Sequence, residues 1–369
     1  MIRISHFQLF SLVMLFEIGS TTLFALGLDA KQDAWIAILI AMLLGFGLIW
    51  VYTEIQKYYP NKNLADILVT VLGKWIGGPL VILYALEFFW IGTLNFREFG
   101  ELVSMILLPT TPMIIILGTF MLITMYVLFS GYEVLARLGE IMLPIVIIFL
   151  VTTYVLTILS GRADFSRIQP VLGHGILPVL DVAFPAIVNF PFGESVVFLM
   201  YWSYVNSQEQ IRKITYFAVG ASGLLLVCSL IIIVTVLGVQ YANNTEVPLF
   251  EVIKMINIAE VITNLDAVAA VLMFIGGFFK MSLHFYGGVL AIKTLFKIQH
   301  EKWLIIVSAI FFTWFSLTYY ENLVFHRWVG LKLSISYIYS IFTYFGITCP
   351  ILILMIIWLQ NKKLILEKS

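Results

Sequence analysis

The stretch Asp181-Val-Ala-Phe-Pro185-Ala-Ile-Val-Asn189-Phe-Pro191-Phe192-Gly193-Glu194-Ser195, continued by the apolar run from Val196 to Tyr204, decides the fold. It is long and apolar enough to cross a bilayer, yet its first half carries two prolines, an asparagine, a glycine and a glutamate. Pro185 and Pro191 each remove a backbone donor, and Gly193 tolerates φ values that other residues avoid. Two half-helices are therefore expected to meet at an unwound segment near Asn189 to Gly193. Free backbone groups at membrane depth persist only where they are buried in protein or line a cavity. The break is thus the first candidate for a binding site.

The rest of the chain has the composition of a membrane protein. Of 369 residues, 61% are hydrophobic and 11% charged, where a soluble domain carries about a quarter charged. Thirty Phe, seventeen Tyr and nine Trp fit a chain with interfacial aromatics. A net charge of zero leaves no footprint for nucleic acid. Cys228 and Cys349 both fall in apolar runs and read as two buried free thiols, with a disulfide between them as the alternative. The first apolar run has one Arg before it and no small-residue cleavage site, so it reads as an uncleaved first span.

Spans need roughly 17–25 apolar residues. Ten are expected, at 7–28, 33–55, 79–106, 112–130, 139–159, 181–204, 214–237, 263–287, 303–320 and 334–358. Asn63 to Trp75 is short and amphipathic and reads as a helix lying in the interface. Val247 to Ile258 reads the same way on the opposite side, and Phe325 to Lys332 is a third such segment. No linker holds a soluble domain, so residues 1–369 form one membrane domain. With the N-terminus inside, the cytoplasmic segments hold thirteen Lys and Arg against six outside. That bias places both termini in the cytoplasm, as an even span count requires.

The first span is irregular too. Its middle reads Glu17-Ile-Gly19-Ser20-Thr21-Thr22, and it lies five spans before the sixth. Many secondary transporters are built from inverted five-span repeats whose first helices break at the substrate site. Here the repeats would cover about 5–160 and 178–360. A half-helix N-terminus suits a carboxylate and the exposed carbonyls of the preceding half suit an ammonium, so the pair of breaks describes a pocket for a zwitterionic amino acid. The competing reading makes Gly19 and Ser20 helix-packing residues and the prolines mere kinks.

Charges inside the spans sharpen the choice. A charged side chain at depth costs about 2.5–3.5 kcal/mol on insertion scales, so Glu17, Glu87, Glu194 and Lys280 are expected to face the protein interior. They either line a polar path holding an ion or proton or form an internal ion pair that fixes helix packing. In one version Lys280 supplies a fixed positive charge where a sodium-coupled protein would bind its cation; in another it snorkels to the interface. Arg97 and Glu101, four apart, are expected to pair on one helix face. His6, His174, His300 and His326 lie in loops or at span ends without ligand spacing. The chain has no Walker loop, dinucleotide fingerprint, metal-ligand spacing or nucleophile elbow, so no catalytic chemistry or cofactor is expected.

Three stretches carry a family resemblance: Ile4-Ser5-His6-Phe7-Gln8-Leu9-Phe10 followed by Glu17-Ile18-Gly19-Ser20; Phe96-Arg97-Glu98-Phe99 leading to Leu108-Pro109-Thr110-Thr111-Pro112; and Asn189-Phe190-Pro191-Phe192-Gly193-Glu194. Together they resemble the B subunit of bacterial endospore germinant receptors, a family of the amino acid–polyamine–organocation (APC) superfamily. The resemblance implies an all-α membrane protein of ten helices in the leucine-transporter fold, with broken helices 1 and 6. It implies nutrient sensing in the spore inner membrane with two partners, an A subunit with its own membrane helices and a C-subunit lipoprotein. It places the first break at Gly19, Ser20 and Thr21 and the sixth at Phe190, Pro191, Phe192, Gly193 and Glu194. Glu87, Trp90, Ile91 and Leu94 of the third helix and Gly276, Gly277 and Lys280 of the eighth would approach them. Thr21 stands where superfamily transporters often have glycine, and its side chain narrows the pocket.

Three function classes follow. The first is a receptor subunit that binds a small nutrient, an amino acid by pocket chemistry, and signals to partners. The second is a working amino acid permease coupled to protons or sodium, and the third a ligand-gated conduit for water or ions. Aromatic faces such as Phe192 and Trp90 also suit a sugar or nucleoside.

Overall fold

The computed structural model describes residues 3–19, 21–256, 266–335 and 340–366. The chain order is α1 (His6–Ile18), α2 (Ala34–Tyr58), α3 (Leu64–Ile106), α4 (Met113–Phe129), α5 (Tyr132–Leu159), α6 (Leu177–Val182), α7 (Ile211–Leu237), α8 (Val239–Asn243), α9 (Pro248–Lys254), α10 (Asp266–Phe296), α11 (Glu301–Tyr319), α12 (Leu323–Arg327) and α13 (Cys349–Leu366). Among the described residues there is no strand, only one isolated bridge between Ile4 and Val205. Among the described residues, eight helical stretches are long and apolar enough to cross a membrane. Helix α4, at 17 residues, falls just short of that length, and α1 has 13.

Helix α1 starts on a capping box. Ser5 Oγ accepts from the Gln8 amide and the Gln8 side chain accepts from the Ser5 amide, which satisfies two of the helix's free donors. It stops at Ile18, and a single 3-10 turn over Thr21–Leu23 follows. The first span is therefore interrupted where its sequence turns polar; Ser20 lies outside the described residues.

The sixth span is broken more extensively than expected. Helix α6 gives way to a wide turn over Ala183–Ile187, within which Phe184 is extended (φ −126°, ψ 130°). The chain turns again at Phe190–Pro191 and then runs as a 3-10 helix over Phe192–Met200. The expected second half is thus not α-helical, and the irregularity begins at Phe184 rather than Asn189. Two missing proline donors so close together leave no room to re-establish the α ladder between them.

Other expectations meet the structure more simply. The segment before the third span turns at Gly73 (φ 74°) and folds back, since a Cβ on Gly77 would lie 2.5 Å from Leu68 O. The segment after α7 forms α9, but Leu249, Phe250, Val252 and Ile253 are buried. It packs on the bundle instead of lying free in an interface, and residues 257 and 258 of the expected helix lie outside the described residues. Cys228 and Cys349 are free as expected, but Cys228 is exposed and Cys349 half-buried, because Cys228 sits on the outward stripe of α7.

The elements sort by polarity. The sixth span and α10 are mostly buried, whereas α4, α5 and α11 turn apolar side chains such as Ile114, Leu122, Ile141 and Ile310 outward. Helix α10 packs along α3 and crosses the break in the first span at Gly276. A Cβ on Gly19 would meet Gly276 O at 2.5 Å, and one on Gly276 would meet Gly19 Cα at 2.7 Å. Only glycine at both positions allows this approach. The start of the chain is tied to the end of the sixth span by Ile4 N–H to Tyr204 O (2.9 Å) and Asn206 N–H to Ile4 O (3.2 Å).

Candidate functional site

The two breaks are joined by buried polar side chains. Lys280 Nζ of α10 lies 2.5 Å from Glu194 Oε2, with both side chains essentially inaccessible. The same ammonium sits 4.1 Å from the Phe190 ring centre and 5.2 Å from that of Phe16. One carboxylate and two aromatic faces therefore surround it, an arrangement that compensates a desolvated cation. Beside it, Ser195 Oγ donates to Glu17 Oε1, which links the first span to the sixth. Glu17 Oε2 and Glu87 Oε2 are buried without a hydrogen-bond partner among the described residues.

The unwound backbone of the sixth span is held from the other side. Asn189 Nδ2 donates to Ile335 O (3.0 Å) and Thr343 Oγ1 (2.8 Å) and lies 3.3 Å from Ser340 Oγ. Tyr52 of α2 donates its hydroxyl to Gly193 O (3.2 Å) and Gly346 O. These bonds satisfy backbone groups that the break exposes and bind the sixth span to the last one.

A cavity of about 90 Å³ opens against this break. Its apolar walls are Phe24, Ile91, Leu94, Phe190, Ile335 and Phe342, and Glu194 reaches it from one side. At the far end stand Asn95, Glu98, His326 and Arg327. Arg327 Nη2 lies 2.8 Å from Glu98 Oε1, and its other terminal nitrogen pairs with Glu246. His326 Nδ1 lies 3.2 Å from Glu98 Oε2, and its Nε2 lies 2.9 Å from Leu94 O.

The site residues expected from sequence divide accordingly. Ile91, Leu94, Phe190 and Glu194 line the cavity, with Lys280 behind Glu194. Gly19 and Gly276 instead meet backbone to backbone. Gly277 faces the Phe99 ring and Phe192 faces Gly45. Gly193 and Pro191 are buried in the turn, and Thr21 is buried with its hydroxyl lacking a partner among the described residues. Trp90 donates to Ser334 Oγ (3.2 Å) and packs at a steep angle against Phe315 and Tyr319 rather than entering the cavity. Arg97 and Glu101 pair at 2.6 Å as expected. Sequence reading missed Asn95 and Glu98 as lining residues, although Glu98 lies on the α3 face of Glu87, Ile91 and Leu94 at helical spacing. It dismissed His326 and did not weigh Arg327, because nothing local marks a five-residue helix as part of a cavity wall.

A bundle of long apolar helices with two interrupted spans around buried charges defines an integral membrane protein. Solved structures share its fold. The chain superposes on Mhp1, a nucleobase-cation-symport-1 family transporter in a closed conformation, with TM-score 0.62 over 94% of this chain and 84% of that one, at 14% identity. It superposes on a Na+-coupled sialic acid symporter with TM-score 0.61 over 90% and 79%, at 12% identity. The fold is thus leucine-transporter-like. The family follows from sequence: residues 3–325 match the family model of the spore germination proteins, and the chain belongs to that family. It is 32% identical to spore germination protein KB of Bacillus subtilis (strain 168) over 368 residues, covering 100% of this chain and 97% of that one. It is 23% identical to spore germination protein YndE of the same organism over 268 residues, 72% and 73% of the two chains. The family is that of spore germination proteins, which are not enzymes.

Proposed function

We propose that this chain is the nutrient-sensing subunit of a spore germination receptor. It binds a small nutrient, an amino acid, beside the breaks of the first and sixth spans and signals to an A subunit in the membrane and a C-subunit lipoprotein. The observation that carries the reading is the cavity against Phe190 and Glu194, in a chain of the spore germination family. We place the protein in the spore inner membrane with both termini in the cytoplasm. We count ten spans in two inverted repeats, adding α4 and the interrupted first span to the eight long helices. Glu17, Glu87, Glu194 and Lys280 form the internal polar path behind the cavity. A ligand acts by binding one state better than another, and about 1.4 kcal/mol of preference shifts the population tenfold.

The likeness to two symporters favours a second reading, a working permease that moves an amino acid with a proton or sodium. The test is radiolabelled amino acid uptake into vesicles holding the purified protein, run beside germination of spores carrying Glu194→Gln or Gly193→Val. Germination lost with no uptake by the wild type supports the receptor. Concentrative uptake by a wild type whose absence leaves germination intact refutes it.

A further inference from the structure

We infer that the Glu98–Arg327 ion pair at the outer end of the cavity is the recognition element for a zwitterion, and that the ligand is a small apolar α-amino acid held there. This rests on the nutrient-binding reading above and moves the polar recognition from the helix breaks to α3 and α12.

Of the break residues, Phe190 and Glu194 line the cavity, while the others described are engaged elsewhere. Gly19 and Gly276 are in backbone contact, Gly193 carries the Tyr52 bond on its carbonyl, and Lys280 is paired with Glu194. None of Gly19, Thr21, Gly193 or Gly276 lines the cavity. The cavity's other polar end has opposite charges within one ion pair. Arg327 lies 5.6 Å from the ring centre of Phe24, a cavity wall, and its side chain is 19% exposed while that of Glu98 is 9% exposed. The pair therefore stands between the cavity and the surface, and it is not sealed.

A zwitterion matches such a pair charge for charge. The α-ammonium takes Glu98, and the α-carboxylate takes the planar Arg327 guanidinium, which presents parallel donors to a carboxylate. His326, whose Nε2–H donates to Leu94 O, lies beside Glu98 with Nδ1 3.2 Å from Glu98 Oε2. The ligand's side chain then enters the apolar walls at Ile91, Leu94, Phe190 and Phe342. The cavity, about 90 Å³ with mostly apolar walls, suits a short apolar side chain. A ligand inserted here also competes with Glu246 for Arg327, which couples occupancy to the segment between α8 and α9.

The test is ligand-dependent thermal stabilisation and calorimetric binding of the purified full chain in detergent. The probes are L-valine, its deaminated analogue isovalerate, its decarboxylated analogue isobutylamine, glucose and inosine. The expected result is binding of L-valine, at least 100-fold weaker binding of both singly charged analogues, and at least a 30-fold loss in Glu98→Gln and in Arg327→Gln. The swap of Glu98→Arg with Arg327→Glu keeps an ion pair and controls for folding. L-valine binding equal to wild type in both single variants, but lost in Phe190→Trp, overturns the ion-pair assignment and leaves nutrient binding in the cavity standing. Isovalerate or isobutylamine binding as tightly as valine does the same, as does stabilisation by glucose or inosine alone that Phe190→Trp removes. Binding of none of the five probes overturns both readings.

Discussion

Replacing Lys280 by methionine tests whether the buried charge pair at the sixth-span break is compensated as the structure requires. Methionine keeps the length and packing of the side chain and removes only the ammonium. Glu194 then keeps its carboxylate in a place that is 1% exposed, without its cation at 2.5 Å. Removing one partner of such a buried pair costs about 3–5 kcal/mol, and up to ~2 kcal/mol of that comes from the faces of Phe190 and Phe16. Adding Glu194→Gln removes the stranded charge, so the double variant should be more stable than Lys280→Met alone. The two positions should couple by about 2–3 kcal/mol. Equilibrium unfolding of the purified protein in mixed micelles by rising SDS, read by tryptophan fluorescence, measures all four species. A Lys280→Met variant within ~1 kcal/mol of wild type refutes the reasoning, and so does a double variant no more stable than that single one. Either result means the two side chains do not depend on each other for charge balance.

Three further outcomes follow from the same geometry. Gly19→Val should lower stability by about 3 kcal/mol or more, because its first carbon would sit 2.5 Å from backbone of α10, which a side-chain rotation cannot relieve; a melting temperature equal to wild type would show that the crossing is looser than described. Asn189→Leu should cost about 1–3 kcal/mol, since the buried Ile335 carbonyl and the Thr343 hydroxyl lose this donor, and hydrogen exchange near residues 340–348 should rise with it. Glu101→Gln should change stability by no more than about 1 kcal/mol, as its partly exposed pair with Arg97 is an i,i+4 contact and Arg97 also donates to Ser316 O; the same unfolding assay decides it.

The sequence by itself determined the class, the rough position of the eight long apolar helices found among the described residues and the two places where spans fail. Local chemistry carries much of that: long apolar runs suit a bilayer crossing, proline removes a donor wherever it stands, and a row of Gly-Ser-Thr beside a glutamate weakens a helix. The ion pairing of Arg97 with Glu101 was legible for the same reason, since the partners are four residues apart on one helix. What only the tertiary structure decided is which residues face one another across elements. Lys280 could equally have snorkelled until Glu194 was brought to it. Gly19 and Gly276 read as ligand-binding positions until a crossing of the first span and α10 put their backbones in contact. Glu98, His326 and Arg327 meet although 228 residues separate the first from the second, a pairing with no local signal because Leu323–Arg327 is too short to show a periodicity. Periodicity reports the direction a side chain takes from its own helix; the partner it meets is set by packing angles between helices far apart in the chain.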